Sequence, residues 1–557
     1  MPVSRQNSAS QGPESVRVNR RGPAFVMILL AASLLGAGVS ASSAANAQPP
    51  KVKPPATGSV LLSPIEITAE GLDFVGHEGL LFVPENRAAE TSRQIAVHFF
   101  RFPAKQKPEL APVFILPGGP GGSISERSFY EYYRGPRAKA FTTELEILNQ
   151  RRDLVIVNQR GNARAPGMQP DTRWQWEAQG LDETLSEAEL RQEIRQTVER
   201  NVKRWQELGI DLAGYDILNI VDDLEDLRQA LGYRKIALRG TSFGSQWSLS
   251  YMRRYPQRVD RALLSGIEPL DHAYDSPQGL WNALQRLERR ALADAELVAS
   301  LPPDLAERGL LASFLQKVAE LAETPATVGI GDPDDGGNVD VLLGSADLKG
   351  AITGALPGSL RDRLAAWPSF VAEVVAGDLR MVAADVAETR QDTITGPMIG
   401  LLIDSSLGIS SRREAKLKEE AAFETLGDIN LWYTATREVT PTPVVDDTFR
   451  RFESTAIPVL MIQGDMDFST PIENALELLP YLENGHLVTV RDGTHGALVE
   501  MIQLRPEIAR QVLAFINEDF DVRAPAKFFD GLPKEIELPP LAFRKHGERP
   551  LYEDDRD

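Results

Sequence analysis

The stretch Ile236–Pro256, "IALRGTSFGSQWSLSYMRRYP", decides how the rest of the chain is read. An apolar strand pattern runs into a helical one through Gly240-Thr241-Ser242-Phe243-Gly244, a G-x-S-x-G turn with a hydroxyl at its apex. Glycine and serine are ordinary turn residues, and the bare motif is weak. With a strand before it and a helix after it, the motif acquires a mechanism. The middle residue is forced into strained backbone geometry, and its neighbours must lack side chains so that strand and helix can pass closely. The serine oxygen then projects beyond the sheet edge.

Working outward, strand-like and helix-like segments alternate. "APVFILPGG" and "DLVIVNQRG" are buried-strand runs, and a helical stretch lies between them near Glu126 to Leu148. A helix over Tyr215–Leu231 carries Ile217, Ile220, Val221, Leu224, Leu227 and Leu231 on one face. "RALLSGI", "IPVLMIQGDMDFSTP" and "HLVTVRDGTHG" continue the rhythm, with a closing helix to about Asn517. Such alternation implies an α/β fold: a mostly parallel, doubly wound sheet covered on both faces. Between Leu270 and Phe452 helical spacing takes over, as in Leu280, Trp281, Leu284, Leu287 and Ala291, which reads as a helical cap over the sheet. Inside it, "GDPDDGGN" from Gly331 lacks the ligand positions of a calcium loop and reads as a solvated acidic turn.

Composition narrows the function. The 557 residues carry a formal charge of −19, which argues against nucleic-acid partners. There is no cysteine, so disulfides, thiolate metal sites and a cysteine nucleophile are excluded. Arg17, Arg20 and Arg21 precede an apolar run from Phe25 to Leu35, and "ANA" at Ala45–Ala47 fits a cleavage site. The apolar run is shorter than a membrane span, so no stable membrane insertion is expected after cleavage. The expected organisation is a signal peptide over 1–47 and a Pro-rich leader over 48–57. The core follows over 58–269, the cap over 270–452, the second part of the core over 453–520 and an irregular acidic tail over 521–557. The mature protein is then periplasmic or secreted; the export route and oligomeric state stay open.

A serine hydroxyl needs a base. Of six histidines, His98 alternates within an apolar strand and reads as core, and His77, His272, His486 and His546 lie in connecting segments. His495, in "RDGTHGA" after the last strand, sits where a sheet-edge base belongs. The orienting acid comes from "GDMDFSTP", with Asp467 preferred to Asp465. A metal on that acid pair is disfavoured by the shortage of further ligands, and no cofactor is expected. The "LPGGPGGS" loop offers Gly118 and Gly119 as oxyanion donors beside the N–H of Phe243, whereas a phosphate-binding reading lacks the G-K-[ST] ending. The chain order Ser, Asp, His is that of α/β-hydrolases.

Together "PGGPGG", "NQRG", "DLEDLRQALGY", "GTSFGSQWSLSYMRRYPQRVDRALLSG", "GDMDFSTP" and "GTHG" resemble the proline iminopeptidase and tripeptidyl aminopeptidase group of α/β-hydrolases. The resemblance covers Val113 to Ile267 and Ile457 to Phe515. It implies a serine exopeptidase acting at peptide N-termini, with Ser242, Asp467 and His495 as its triad. Departures are Pro117 opening the loop, Asn158 before "QRG", Asn162, Ala163 and Ala165 in "GNARA", and Phe243 in place of tyrosine. An aminopeptidase must bind an α-ammonium, for which Glu268, Asp271 and Asp275 are placed to serve; a solvated acidic connection is the competing reading. Two rivals remain: a carboxylesterase for small hydrophobic esters, and a non-catalytic binding protein on the same scaffold.

Overall fold

A computed structural model describes residues 18–19, 55–69, 72–106, 110–125, 136–162, 173–176, 179–331, 337–354, 361–391, 395–519, 521, 523–524 and 526–548. The expected signal peptide and leader therefore lie almost wholly outside the described residues. The same holds for residues 126–135 of the first helical stretch, for Ala163 and Ala165, and for the acidic turn at 332–336.

The core is built on strands Val60–Ala69 (β1), Leu72–Pro84 (β2), Gln94–Phe102 (β3), Val113–Leu116 (β4) and Leu154–Val157 (β5). They continue with Ile236–Thr241 (β6), Val259–Ser265 (β7), Val459–Gly464 (β8), Gly485–Arg491 (β9) and Glu535–Glu537 (β10). With the short Val18–Asn19 pairing outside β1, they form one 11-stranded sheet in the order β1-β2-β3-β5-β4-β6-β7-β8-β9-β10. The β1, β2, β3 and β5 neighbours pair antiparallel, and every pair from β5 to β10 is parallel. This is the α/β architecture that the alternating pattern implied. The four residues of β4, VFIL, and of β5, LVIV, are buried throughout, as strands covered on both faces must be.

Register places the functional loops side by side. Leu116 at the end of β4 lies opposite Gly240, and Thr241 at the end of β6 lies opposite Ser265. The loops after β4, β6, β7, β8 and β9 thus emerge at one edge, the carboxyl ends of parallel strands, where open α/β sheets gather their sites. On one face Ile217–Ala230 and Phe243–Arg254 bury their apolar stripes; on the other, Pro136–Leu148, Ala497–Leu504 and Pro506–Asn517 do so.

The cap has its own core, in which Leu284, Leu287, Phe314, Trp367 and Phe370 are buried. Two corrections to the sequence reading arise here. First, the segment 270–452 does not stand apart from the first part of the core. Strand Arg173–Gln175, which follows β5, pairs antiparallel with Thr395–Pro397, and helix Glu187–Glu207 packs on Leu431–Arg437. That helix starts at a capping box: the Ser186 side chain accepts from Glu189 N–H while the Glu189 carboxylate accepts from Ser186 N–H. The cap also holds a hairpin, Ala326–Gly331 with Asn338–Leu343. Second, the tail is not irregular over its described part. Glu535–Glu537 adds the edge strand β10 with Ile536 buried, and Leu541 enters the cap core. The described part of the tail thus joins sheet to cap.

Candidate active site

Ser242 sits at φ 58° and ψ −133°, a conformation that costs a non-glycine residue of order 1–3 kcal/mol and persists only where its surroundings impose it. Those surroundings are the flanking glycines. A methyl on Gly240 would lie 2.1 Å from the Gly244 carbonyl oxygen, and one on Gly244 would lie 2.0 Å from that of Leu116. The Ser242 N–H donates to Ser265 O at 3.0 Å, tying the elbow to β7.

The imidazole of His495 meets Asp467, 28 residues earlier: Nδ1 lies 2.9 Å from Oδ2 and 3.1 Å from Oδ1. Asp465 instead accepts from Asp492 N–H at 2.7 Å. Asp467 is buried and surrounded by donors: Gln463 Nε2 at 2.8 Å, Ser469 N–H at 2.9 Å, Thr470 N–H at 2.8 Å and Thr470 Oγ1 at 2.7 Å. Burial alone would raise this carboxyl, but the facing imidazole and the Thr470 bonds bring it below the ordinary aspartate value. Burial alone would lower His495, but Asp467, assisted by Glu268 and Asp275, raises it to about 8. The ring lies over the bare Cα of Gly266. A methyl there would be 2.7 Å from His495 Cε1 and 3.3 Å from the Ser242 nitrogen, so ring and elbow face one another across this glycine.

The glycine loop after β4 closes on the same point. A methyl on Gly118 would lie 2.9 Å from Ser242 Cβ. Gly119 lines the cavity beside Ser242, and Phe243 is the first residue of its helix, where an N–H has no intrahelical acceptor. Among the described residues neither Gly119 N–H nor Phe243 N–H has a hydrogen-bond partner. "NQRG" explains the loop's shape. Asn158 accepts from Ile124 N–H and donates to Ile124 O, each at 2.8 Å. Gln159 accepts from Gly121 N–H at 2.7 Å and donates to Gly118 O at 3.2 Å. Buried Arg160 anchors the segment through a two-pronged pair with Asp223 at 2.6 and 2.7 Å.

Ser242, His495 and Gly119 open onto a cavity of about 360 Å³ roofed by the cap. Three acids line it: Glu268 from the loop after β7, Asp275 just beyond, and Asp404 from helix Met398–Leu407. Ser242 Oγ donates to Glu268 Oε1 at 3.2 Å. No basic side chain pairs with any of the three among the described residues. Burial, and then their mutual repulsion, pushes Glu268 and Asp404 well above the ordinary carboxyl range; burial first, against the opposing charge of Arg413 and with Asp467 adding to it, pushes Asp275 to about 7. No three His, Asp or Glu residues converge closely enough to hold a metal ion among the described residues.

Asp271 is a correction. Its carboxylate accepts from Ser410 N–H and Ser410 Oγ, both at 2.6 Å, and it does not line the cavity. Its bonds fix the N-cap of helix Ser411–Glu419 instead. Sequence reasoning also missed Asp404, Tyr433, His272 and Gln463. Asp404 had a readable signal, an acid inside the apolar run "MIGLLIDSSL". His272, read as a connecting residue, is a buried part of the cavity wall, bonded to Asn474 Oδ1 at 2.9 Å.

Residues 111–306 match the α/β-hydrolase fold family, and residues 430–503 match the TAP-like protein family. The chain is 29% identical over 199 residues to the serine protease Hip1 of Mycobacterium tuberculosis, and equally to that of Mycobacterium bovis. That alignment takes in 34% of this chain and 36% of those relatives. Among solved structures, serine hydrolase CCSP0084 from Cycloclasticus zankles is 13% identical, with 79% of this chain and 100% of that chain covered and a TM-score of 0.33. An α/β-hydrolase fold protein from Nakamurella multipartita is also 13% identical, with coverage of 78% and 98% and a TM-score of 0.31. Over residues 111–306 and 430–503 the chain is thus an α/β-hydrolase of the TAP-like group.

Proposed function

We propose that this protein is an exported serine aminopeptidase. Ser242 is the nucleophile, His495 the general base and then acid, and Asp467 the group that holds the imidazole tautomer. His495 Nε2 takes the Ser242 proton as Oγ attacks the carbonyl carbon. The N–H groups of Phe243 and Gly119 receive the oxyanion. His495 then protonates the leaving amine, and water clears the acyl-enzyme by the same route.

The observation that carries the aminopeptidase reading is the acidic cavity. Three acids beside the nucleophile, none of them in a salt bridge among the described residues and opposed only by the charges of Arg413 on Asp275 and of the His495 ring, are costly to ionise together. A substrate ammonium entering among them would supply the missing charge and fix the scissile bond at Ser242. The serine protease Hip1 relatives agree in reaction class over the matched part. The N-terminal "ANA" pattern supports export.

The test is digestion of a peptide mixture with mass-spectrometric readout, with Ser242→Ala as control. Products shortened only from free N-termini support the reading. Internal cleavage, or hydrolysis of short acyl esters alone, refutes it.

A further inference from the structure

The nucleophile faces Glu268. Ser242 Oγ donates to Glu268 Oε1 at 3.2 Å, and no hydrogen bond joins it to His495 among the described residues. Nor is the Glu268 contact loosely held. Glu268 N–H donates to Ser245 Oγ at 2.9 Å, and Ser245 Oγ lies 2.7 Å from Ser242 O and 3.1 Å from Gly266 O. The backbone that carries the acid is thereby pinned to the same elbow that carries the hydroxyl. The acid's other neighbours in the cavity include Asp275, Asp404, Tyr433 and His495, and none of them is hydrogen-bonded to its carboxyl among the described residues.

We infer that Glu268 is a positioning residue that holds the Ser242 hydroxyl away from His495 until a substrate ammonium takes its place on the carboxylate. The inference rests on the aminopeptidase reading of this cavity. Hydroxyl and ammonium are donors to one oxygen, and the ammonium makes the stronger, charge-assisted bond. Once displaced, the hydroxyl turns about the Cα–Cβ bond towards the imidazole across Gly266. The proton stays on Ser242 Oγ throughout this step and passes to His495 Nε2 only as the carbonyl is attacked. Recognition of the free N-terminus is thereby expressed partly in the rate of the chemical step and not in binding alone.

The experiment follows the rate at which a neutral fluorophosphonate labels Ser242, with ethylammonium chloride or potassium chloride at equal ionic strength. Wild-type protein should label roughly three- to tenfold faster in ethylammonium, the equivalent of releasing one ordinary hydrogen bond. Glu268→Ala should label at the fast rate in both salts. Glu268→Gln, which keeps the side chain's shape, should lose the ethylammonium response. Inhibition of peptidyl-anilide hydrolysis by ethylammonium, measured in parallel, separates this inference from the reading beneath it. Competitive inhibition without faster labelling overturns the switch and leaves the ammonium site standing. Absence of inhibition overturns both.

Discussion

Asp467 and Glu268 flank the same serine and imidazole, and their surroundings are opposite. Asp467, on the loop after β8, accepts four hydrogen bonds besides that of His495, from Gln463, Ser469 and twice from Thr470. Glu268, on the loop after β7, accepts from the Ser242 hydroxyl and faces two further acids across the cavity. Burial works against both charges, yet donors pull Asp467 below its ordinary range while Glu268 is pushed far above its own. A carboxylate saturated from within is fixed as part of the machinery. One left unsaturated is a receptor for charge arriving from outside. The loops after β8 and β9 thus supply a saturated acid–imidazole pair, and Glu268 from the loop after β7 with Asp275 and Asp404 from the cap forms an unsaturated cluster that, in the proposed reading, substrate finishes.

The contrast can be broken most severely on the saturated side. Ser242→Ala or His495→Ala should lower kcat by about 10⁴- to 10⁶-fold, and Asp467→Asn by about 10⁴-fold with little change in KM. An equal loss in Asp465→Asn would show that the orienting acid has been misassigned. On the unsaturated side, Asp275→Asn and Asp404→Asn should each lower kcat/KM for a free-amine peptidyl anilide by about 10- to 100-fold. Hydrolysis of a neutral nitrophenyl ester should change in neither variant, which separates loss of a receptor from general damage.

The pH profile sharpens the same contrast. A general base works only when neutral, so kcat should rise as pH passes through about 8, where His495 loses its proton. Ammonium binding needs ionised Asp275, so kcat/KM for amine substrates should fall further as pH drops below about 7. Above about 8 the peptide α-amino group itself loses charge. Amine substrates should give a bell and neutral esters a single rise; identical curves would contradict the assignment of the cavity acids. The smallest effect belongs to Asp271→Ala. Losing its bonds to Ser410 should cost about 1 kcal/mol of stability in denaturant unfolding, with kcat and KM unchanged. A raised KM would restore Asp271 to the substrate site.

The saturated half was legible in the sequence because each of its parts is local. Ser242 sits in a glycine-flanked turn between an apolar strand run and a helical pattern, and Asp467 and His495 follow strands marked by apolar runs and glycine, although the contact that demands Gly244, with Leu116 O, is long-range. The unsaturated half was not. Asp271 and Asp275 lie four residues apart in one connection, and only the position of Ser410, over a hundred residues on, decides that the first is engaged by the cap. Helical periodicity in Glu187–Glu207 identifies a helix and is silent about Leu431–Arg437, on which it packs. Glu535–Glu537, three residues between prolines with one buried side chain, is too short for a strand pattern, and only β9 makes it one.

The central claim is that the cavity acids await a substrate cation. Its most direct test is kcat/KM for one peptidyl anilide measured with its N-terminus free and again after N-acetylation, on wild-type protein. A buried polar site left unmatched should reject the acetylated twin by about 10²-fold or more. Equal turnover of the two would mean that these acids take no part in recognising the substrate.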